Sequence, residues 1–225
     1  MAIPVLVMGK SGSGKSASLR NFGPEEVCVI NVLGKPFPFR SKLDKVFKTD
    51  DYATVMKALA QAAHKGAKAI VIDDAGYLIT NEFMRGHAKQ GQGNAIFGFY
   101  NKLADDFWTL IEYIKKLPDD VVIYVMMHEE QNDFGAIKPK TIGKILDDKV
   151  SIEGMFTIVL RSEKDGDRHV FHTKTTGLDV TKTPIGMFEA EEIDNDLQMV
   201  DKTIRDYYGI KEKKTAKKAE KEATA

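Results

Sequence analysis

Several residue types and sequence patterns are scarce or absent in the chain, and each absence excludes a class of protein. A single cysteine among 225 residues cannot form an intramolecular disulfide, so a disulfide scaffold is excluded and a reducing compartment is expected. No apolar run approaches the roughly 20 residues that span a bilayer. The N-terminus lacks the basic segment and the cleavage site of a secretory signal. We therefore expect a cytoplasmic protein without membrane attachment.

The chain also lacks an excess of charge of either sign. Its 33 Lys and Arg residues balance 33 Asp and Glu residues, which excludes a uniformly basic nucleic-acid binder of the histone type. Any contact with DNA must then come from a local basic patch. Seven prolines and 18 glycines are ordinary numbers, and they exclude collagen-like and proline-rich disordered chains.

What the chain does contain is an alternation of apolar, β-branched runs with helical patterns. Buried strands are predicted over residues 3–8, 27–32, 69–72 and 121–127. Helices are predicted over 17–22, 51–64 and 96–117, with a mobile loop over 86–98. Cys28 lies inside the second strand, where we expect a small buried hydrophobe. The alternation predicts an α/β fold with a mainly parallel sheet flanked by helices.

The C-terminal third of the chain is expected to complete this sheet. Two antiparallel strands, 155–161 and 169–174, flank the turn Asp165-Gly166 and predict a hairpin at one edge. A last amphipathic helix is predicted from Ile193 to Tyr207. Residues 1–209 are thus expected to form one domain. Residues 210–225 hold six Lys and three Glu, and we predict a disordered Lys-rich tail there.

Residues Gly9 to Ser16 read GKSGSGKS and match the complete phosphate-binding pattern G-x-x-x-x-G-K-[ST]. The glycines let successive backbone N–H groups point at phosphate oxygens. Lys15 supplies positive charge to the β- and γ-phosphates from an exposed loop, in binding and in catalysis, while Ser16 offers its hydroxyl to Mg²⁺. ATP and Mg²⁺ are therefore the predicted cofactors. The expected nucleotide contacts are Gly9, Ser11, Gly12, Ser13, Gly14, Lys15, Ser16 and Ala17.

A second motif is the apolar run 69–72, which ends in Asp73 and Asp74. Asp73 is expected to hold Mg²⁺ through a water, together with Ser16. Hydrolysis needs a group that orients or deprotonates the attacking water, and we predict Asp74 in that role. His128 ends the fourth strand, where a polar side chain can sense the γ-phosphate. For Asp74 and His128 a purely structural role is the alternative.

The order of the motifs along the chain indicates a branch of phosphate-loop proteins. Strand 27–32 lies between the two motifs, and a strand inserted between motif strands is typical of the ATPases that include RecA, helicases and AAA proteins. AAA proteins usually carry Glu directly after the metal-binding Asp, where this chain has Asp74. RecA-like proteins place a Glu at the end of the intervening strand, where this chain reads Asn31-Val32-Leu33. The absent Glu leaves the rate of hydrolysis open.

Four segments carry a family resemblance: GKSGSGKS near the N-terminus, AIVIDDA, YVMMHEE and TKTPIGMF. With them the chain resembles the small phage-encoded nucleotide-binding proteins of the AAA/RecA-like type, relatives of phage single-strand annealing ATPases, over residues 3–190. The resemblance implies a RecA-like P-loop core that binds ATP and single-stranded DNA and forms rings or filaments. It also implies a role in phage recombination or replication in the host bacterial cytoplasm, with a single-strand binding protein as a partner.

By similarity, the polar segment after the fourth strand corresponds to the DNA-facing loops of RecA cores. It holds Lys138, Lys140 and Lys144, with Phe134 nearby as a ring on which a base can stack. A second DNA-binding candidate is the loop with Arg85, His87, Lys89, Gln90 and Gln92. The alternative for both segments is an ordinary solvated loop. Lys174 and Lys182 resemble lysines that reach a neighbouring subunit's nucleotide, with ordinary surface lysines as the alternative.

Two other functions fit the same motifs. A small-molecule or nucleotide kinase usually has an arginine-rich lid, whereas here only Arg161 and Arg168 flank the predicted hairpin. A non-hydrolysing, nucleotide-gated assembly module is compatible with the short Asp74 side chain. The leading prediction is a DNA-dependent ATPase.

Overall fold

A mainly parallel sheet organises the structure, a computed structural model that describes residues 1–90, 94–142 and 150–210. Within these residues the sheet has nine strands: β1 (Ile3–Gly9), β2 (Val27–Asn31), β3 (Val46–Lys48), β4 (Ala69–Asp73), β5 (Val122–Gln131), β6 (Ile137–Pro139), β7 (Ile158–Asp165), β8 (Arg168–His172) and β9 (Glu192–Asp194). The described helices are α1 (Tyr52–His64), α2 (Gly76–Gly86), α3 (Asn94–Lys115) and α4 (Leu197–Tyr208). Short 3₁₀ helices cover Ser16–Asn21, His87–Lys89 and Ile152–Met155.

The strand order is β3-β2-β4-β5-β1-β7-β8-β9, with the short β6 paired to the end of β5. All pairs from β3 to β7 along this order are parallel, whereas β7-β8, β8-β9 and β5-β6 are antiparallel. The predicted fold class, a mainly parallel α/β sheet flanked by helices with an antiparallel hairpin at one edge, is confirmed.

The strand that separates the two motif strands in space is β5. Residues 27–32 lie between the motifs along the chain, but in the sheet β2 pairs with the outer side of β4 and not with β1. The register sets Gly9 on β1 opposite His128 on β5, and Asn31 on β2 opposite Asp73 on β4. The carboxyl ends of four parallel strands therefore meet at one edge, which is where ligands bind in open α/β sheets.

Both faces of the sheet are covered because alternate residues of each buried strand point to opposite sides. One face carries side chains such as Leu6 and Ile72, which pack against α1, α2 and α3. The other face carries Val5, Val71 and Tyr124, which pack against α4 and the 3₁₀ helix after the phosphate loop. Among the described helices, none combines the length and the apolar character needed to cross a bilayer.

The last helix begins later than its apolar pattern predicts. Ile193 belongs to β9, and the helix starts at Leu197 because the side chain of Asp196 accepts hydrogen bonds from the backbone N–H groups of Gln198 and Met199. Its end is as predicted: Gly209 has φ +64°, a left-handed conformation that favours glycine.

The predicted loop over 86–98 is wrong at both ends, because His87–Lys89 form a 3₁₀ helix directly after α2 and α3 begins at Asn94. Helix α2 directly before this segment was not predicted. It starts at a glycine, contains β-branched residues and has no side-chain cap, so its sequence carries few helix signals. The short helix predicted over 17–22 is a 3₁₀ helix.

Candidate nucleotide-binding site

The phosphate loop connects β1 to the following 3₁₀ helix and wraps around the ammonium group of Lys15. Lys15 Nζ donates hydrogen bonds to the carbonyl oxygens of Gly9 (2.7 Å) and Lys10 (2.9 Å). The residue is 6% exposed, so the expectation that it stands on an exposed loop is wrong. Burial lowers the pKa of Lys15 to about 8, against the opposing effect of Asp74 and Asp73.

Three residues from the C-terminal part of the chain hold the loop in place. Ser162 on β7 donates a hydrogen bond from Oγ to the carbonyl oxygen of Ser13 at 2.9 Å, and Nδ1 of His169 lies 3.0 Å from the same oxygen. Asn195 Nδ2 in turn donates to Ser162 Oγ at 3.2 Å. A Cβ atom on Gly9 would lie 2.4 Å from the carbonyl oxygen of Ser162, so this contact requires glycine. No local motif marks these three supporting residues in the sequence.

Ser16 and Asp73 meet at the position predicted for the metal. Ser16 Oγ donates a hydrogen bond to Asp73 Oδ1 at 2.9 Å, across 57 positions of sequence. Burial, followed by the neighbouring charge of Asp74, raises the pKa of Asp73 to about 6. One hydroxyl and one buried carboxylate fit Mg²⁺, which usually takes few protein oxygens and completes its shell with phosphates and waters.

Asp74 follows Asp73 with φ +60°, a left-handed conformation that turns its carboxylate toward two cationic or polar groups. Lys35 Nζ lies 2.7 Å from Asp74 Oδ2, and His128 Nε2 lies 3.4 Å from Oδ1. Burial acts to raise the pKa of Asp74, but hydrogen bonds from His128 and Lys35 outweigh it and lower the pKa to about 2. The structure thus brings Asp74 and His128 together. Lys35, on the connection between β2 and β3, was not predicted as a site residue.

These groups line one cleft of about 350 Å³ at the carboxyl edge of the sheet. Its lining residues are Ser11, Gly12, Gly14, Lys15, Ser16, Ala17, Lys35, Pro36, Pro38, Asp73, Asp74, His128 and His169. Of the predicted nucleotide contacts, Gly9 and Ser13 lie behind this surface, where they shape the loop backbone. The roles assigned to the individual side chains stay predictions.

Residues 1–185 match the family model AAA_24, which describes an AAA domain. The chain belongs to this AAA-domain family. Membership makes it a nucleotide-binding P-loop protein of the AAA ATPase type. No similar sequence was found among curated proteins. The matched part of the AAA-domain protein runs from β1 through β8 and stops before β9 and α4, although Asn195, which lies between them, supports the phosphate loop through Ser162.

The predicted DNA-binding lysines of the AAA-domain protein have different surroundings. Lys138 lies on β6 opposite Glu130, with Nζ 3.5 Å from Oε1. Lys140 follows β6, donates its backbone N–H to the carbonyl oxygen of His128 at 2.7 Å, and lines a second cavity of about 540 Å³. Lys144 lies outside the described residues. Phe134 stands at the tip of the β5-β6 hairpin with 90% of its surface exposed.

The second cavity adjoins the nucleotide cleft. Ser11, Lys35 and His128 line both spaces, and Lys140 lines the second one only. Lys140 and His128, the candidate γ-phosphate sensor, therefore face a common space.

The second candidate loop is less available for DNA. Arg85 forms an ion pair with Asp50 at 2.7 Å, and the ring of His87 stacks on Phe83. Gln92 lies outside the described residues. Lys174 donates from Nζ to the carbonyl oxygen of Glu189 at 3.1 Å, and Lys182 pairs through its backbone with Val159. Among the described residues that line the cleft, neither of these two lysines occurs.

Two acids next to His128 are already bound by cations. Arg161 reaches both carboxylate oxygens of Glu129, at 2.9 and 3.2 Å, and also binds Glu163. Glu130 faces Lys138. Arg168, the other arginine of the hairpin, pairs with Asp165 and Glu192 on the surface. Neither arginine lines the nucleotide cleft that the described residues form, so the hairpin does not resemble an arginine lid.

Proposed function

We propose that this AAA-domain protein is a Mg²⁺-dependent ATPase stimulated by single-stranded DNA, which acts in phage recombination, annealing or replication. The observation that carries ATP binding is the convergence of a complete phosphate loop with Asp73 and Asp74 in one cleft. The phage setting, the annealing relatives and the partnership with a single-strand binding protein rest on the sequence resemblance. Residues 1–209 are proposed as one domain; residues 211–225 of the predicted tail lie outside the described residues.

The residues of the cleft have separable tasks in this proposal. Backbone N–H groups of the loop and the ammonium of Lys15 bind the β- and γ-phosphates. Ser16 and Asp73 would hold Mg²⁺, which supplies charge neutralisation at the phosphate oxygens when bound. Asp74 is ionised at neutral pH and accepts a hydrogen bond from the attacking water, which orients it. His128 contacts Asp74 and faces the cleft, as a γ-phosphate sensor would.

The β5-β6 hairpin supports the proposed response to DNA. Its exposed Phe134 offers a ring for stacking on a base, and its Lys138 and Lys140 offer charge to the backbone. The backbone N–H of Lys140 is hydrogen-bonded to the carbonyl oxygen of His128. A DNA strand that displaces Lys140 therefore also displaces the candidate sensor. Assembly into a ring or filament, with Lys174 and Lys182 acting in trans, is part of the proposal through the resemblance.

The decisive experiment replaces Lys15 with alanine and follows ATP binding by calorimetry. One charge-assisted contact to phosphate contributes about 1.5–3 kcal/mol, so the affinity of the variant for ATP should be measurably lower than that of the wild type. Its thermal unfolding should stay cooperative. Burial of the Lys15 charge is itself costly, so its removal is not expected to unfold the chain. Unchanged affinity in a folded Lys15→Ala protein would show that the phosphate-loop assignment is wrong.

A second measurement separates the proposal from its alternatives. Phosphate release is followed with and without single-stranded DNA, using the Lys15→Ala protein as the blank. Stimulation by DNA supports the proposed ATPase. Transfer of phosphate to a small acceptor would instead support a kinase, for which the adjoining 540 Å³ cavity offers space. Binding without turnover would support a nucleotide-gated assembly module.

A further inference from the structure

A second lysine stands in the cleft beside Lys15, and the motifs do not account for it. Lys35 follows β2 on the segment Gly34-Lys35-Pro36, and its Nζ lies 2.7 Å from Asp74 Oδ2. Its side chain is 58% exposed, whereas that of Asp74 is 5% exposed. The ammonium therefore covers a buried carboxylate and faces the open cleft.

The backbone of Lys35 is fixed rather than free. The buried Asn31, at the end of β2, donates a hydrogen bond from Nδ2 to the carbonyl oxygen of Lys35 at 2.7 Å. Gly34 has φ +65°, which turns the chain back toward the cleft, and Pro36 restricts the backbone on the other side. A flexible side chain is thus carried by a positioned backbone, the arrangement that a ligand-binding lysine needs.

Lys35 lies on the side of the cleft where the terminal phosphate of a triphosphate would bind. Asp74 follows the metal-binding Asp73 and contacts the candidate sensor His128, and Lys35 lines the cleft on this same side. An ammonium group has three N–H donors, and the ion pair with Asp74 Oδ2 lies on one side of it. The remaining donors can reach a phosphate oxygen. The carboxylate of Asp74 and a terminal phosphate bound beside it would repel each other unless a cation lay between them.

We propose that Lys35 is a phosphate-binding lysine that bridges Asp74 and the terminal phosphate, and thereby makes the cleft prefer a nucleoside triphosphate over a diphosphate. The proposal rests on the proposed function and adds a residue that determines its specificity. Lys15 would contribute to the binding of both the triphosphate and the diphosphate, because it also binds the β-phosphate. Lys35 would serve only the triphosphate.

The test compares the affinities for ATP and ADP by calorimetry, at saturating Mg²⁺, in the wild-type protein and in Lys35→Gln, Lys35→Arg and Lys42→Gln. Lys35→Gln should lose about 10-fold or more in ATP affinity while its ADP affinity changes less than about twofold. Lys35→Arg, which keeps the charge, should regain most of the ATP affinity. Lys42→Gln is the matched control, because Lys42 is an exposed lysine on the same connection that does not line the cleft.

A double-mutant cycle with Asp74→Asn separates contact with phosphate from mere neutralisation of Asp74. If Lys35 binds phosphate, Lys35→Gln combined with Asp74→Asn should bind ATP about 10-fold or more weakly than Asp74→Asn alone. Equal ATP affinity of these two proteins would overturn the inference, as would an equal loss of ATP and ADP affinity in Lys35→Gln.

The outcome also distinguishes this inference from the proposed function. If the wild-type protein binds neither nucleotide, the proposed function fails and the inference fails with it. If wild type binds ATP, Lys15→Ala binds it more weakly, and Lys35→Gln behaves as wild type, only the inference is wrong. Cooperative thermal unfolding of each variant shows that it is folded, which the exposure of the Lys35 side chain leads us to expect.

Discussion

The pKa values of two adjacent carboxylates in the cleft are shifted in opposite directions by their surroundings. Burial and the neighbouring Asp74 raise the pKa of Asp73 to about 6. A nearby cation would therefore stabilise the charged form of Asp73. For Asp74 the effect of burial is outweighed by His128 and Lys35, and its pKa falls to about 2. Groups with diverging pKa values in one site commonly have different chemical tasks. Here one is suited to a metal and the other to a water molecule.

This difference predicts distinct effects of two matched substitutions. Asp73→Asn should weaken the Mg²⁺-dependent part of ATP binding, because the metal loses a charged oxygen ligand. Asp74→Asn should leave ATP binding in place and stop turnover. Asparagine tolerates the left-handed φ of +60° at position 74, so the backbone should be retained. Calorimetry with and without Mg²⁺ gives the first effect, and a phosphate-release assay gives the second.

Near-native turnover by Asp74→Asn would remove Asp74 as the group that activates water. Attention would then turn to Glu129 and Glu130, which lie beside the candidate sensor. Both already have cationic partners, Arg161 and Lys138 respectively.

Cys28 offers a prediction about the core. It is 1% exposed on β2, which confirms the expected small buried hydrophobe, and burial raises the pKa of its thiol to about 11. Because the thiolate is the reactive form, the folded protein should react slowly with a disulfide reagent at pH 8. The same protein in denaturant should react completely with one equivalent. Fast labelling of the folded protein would contradict the described burial.

At the residue scale, the local motifs could be predicted and the groups that support them could not. The phosphate loop and Asp73 are visible because their chemistry requires fixed residue types at fixed spacing. Lys35, Ser162 and Asn195 reach the same site from distant segments. Only the strand order brings them there, and no spacing in the sequence encodes that order.

Elements were predictable where burial imposes a clear pattern. The four central strands are continuous apolar runs because helices cover both faces of the sheet. The short strands β3, β6 and β9 have three residues each, too few for a pattern to emerge. Ile193 fits the helical period of α4 by coincidence, while the cap at Asp196 decides where the helix begins.

The predicted DNA-binding lysines, of which Lys138 and Lys140 lie at the β5-β6 hairpin, lead to a test of DNA binding. Replacing Lys138, Lys140 and Lys144 together by alanine should lower affinity for single-stranded DNA regardless of sequence. For each lysine that pairs with a phosphate, its removal should reduce the slope of log affinity against log salt by about 0.7. ATP binding should persist. Fluorescence anisotropy at several salt concentrations measures the slope, and Lys48→Ala on β3 provides a surface-lysine control.

The Lys-rich tail needs its own control, because it could bind DNA as a basic arm. A chain that ends after Gly209 should retain the binding that the hairpin provides. If it loses all binding while the triple variant loses none, the hairpin assignment is wrong. If wild-type protein does not bind single-stranded DNA at low salt, the recombination hypothesis fails.

For the whole molecule, the family match and the folding unit end at different places. The match stops at residue 185, yet Leu197, Val200 and Ile204 of α4 are buried against the sheet. Arg205 donates from its guanidinium to the carbonyl oxygens of Asp120 and Lys68, at the amino edge of the sheet. The helix thus joins segments that are far apart along the chain.

We therefore expect a chain that ends after Ile185 to be unfolded, and one that ends after Ile210 to unfold at the same temperature as the full chain. Three large apolar side chains at about 1.5–3 kcal/mol each amount to much of a domain's net stability of roughly 5–15 kcal/mol. Circular dichroism with thermal denaturation compares the three proteins. Cooperative unfolding of the shorter chain would show that α4 is dispensable.

The position of β1 at the centre of the sheet has a consequence for the newly made protein. Its neighbours β5 and β7 begin at Val122 and Ile158, and the phosphate loop leans on Asn195 through Ser162. At 5–20 residues per second, a ribosome needs on the order of 10–40 s to pass from Gly9 to Asn195. During that time the loop exists as sequence without its supports. We therefore expect nucleotide binding only after synthesis has passed Asn195, too late for ATP to assist the early steps of folding.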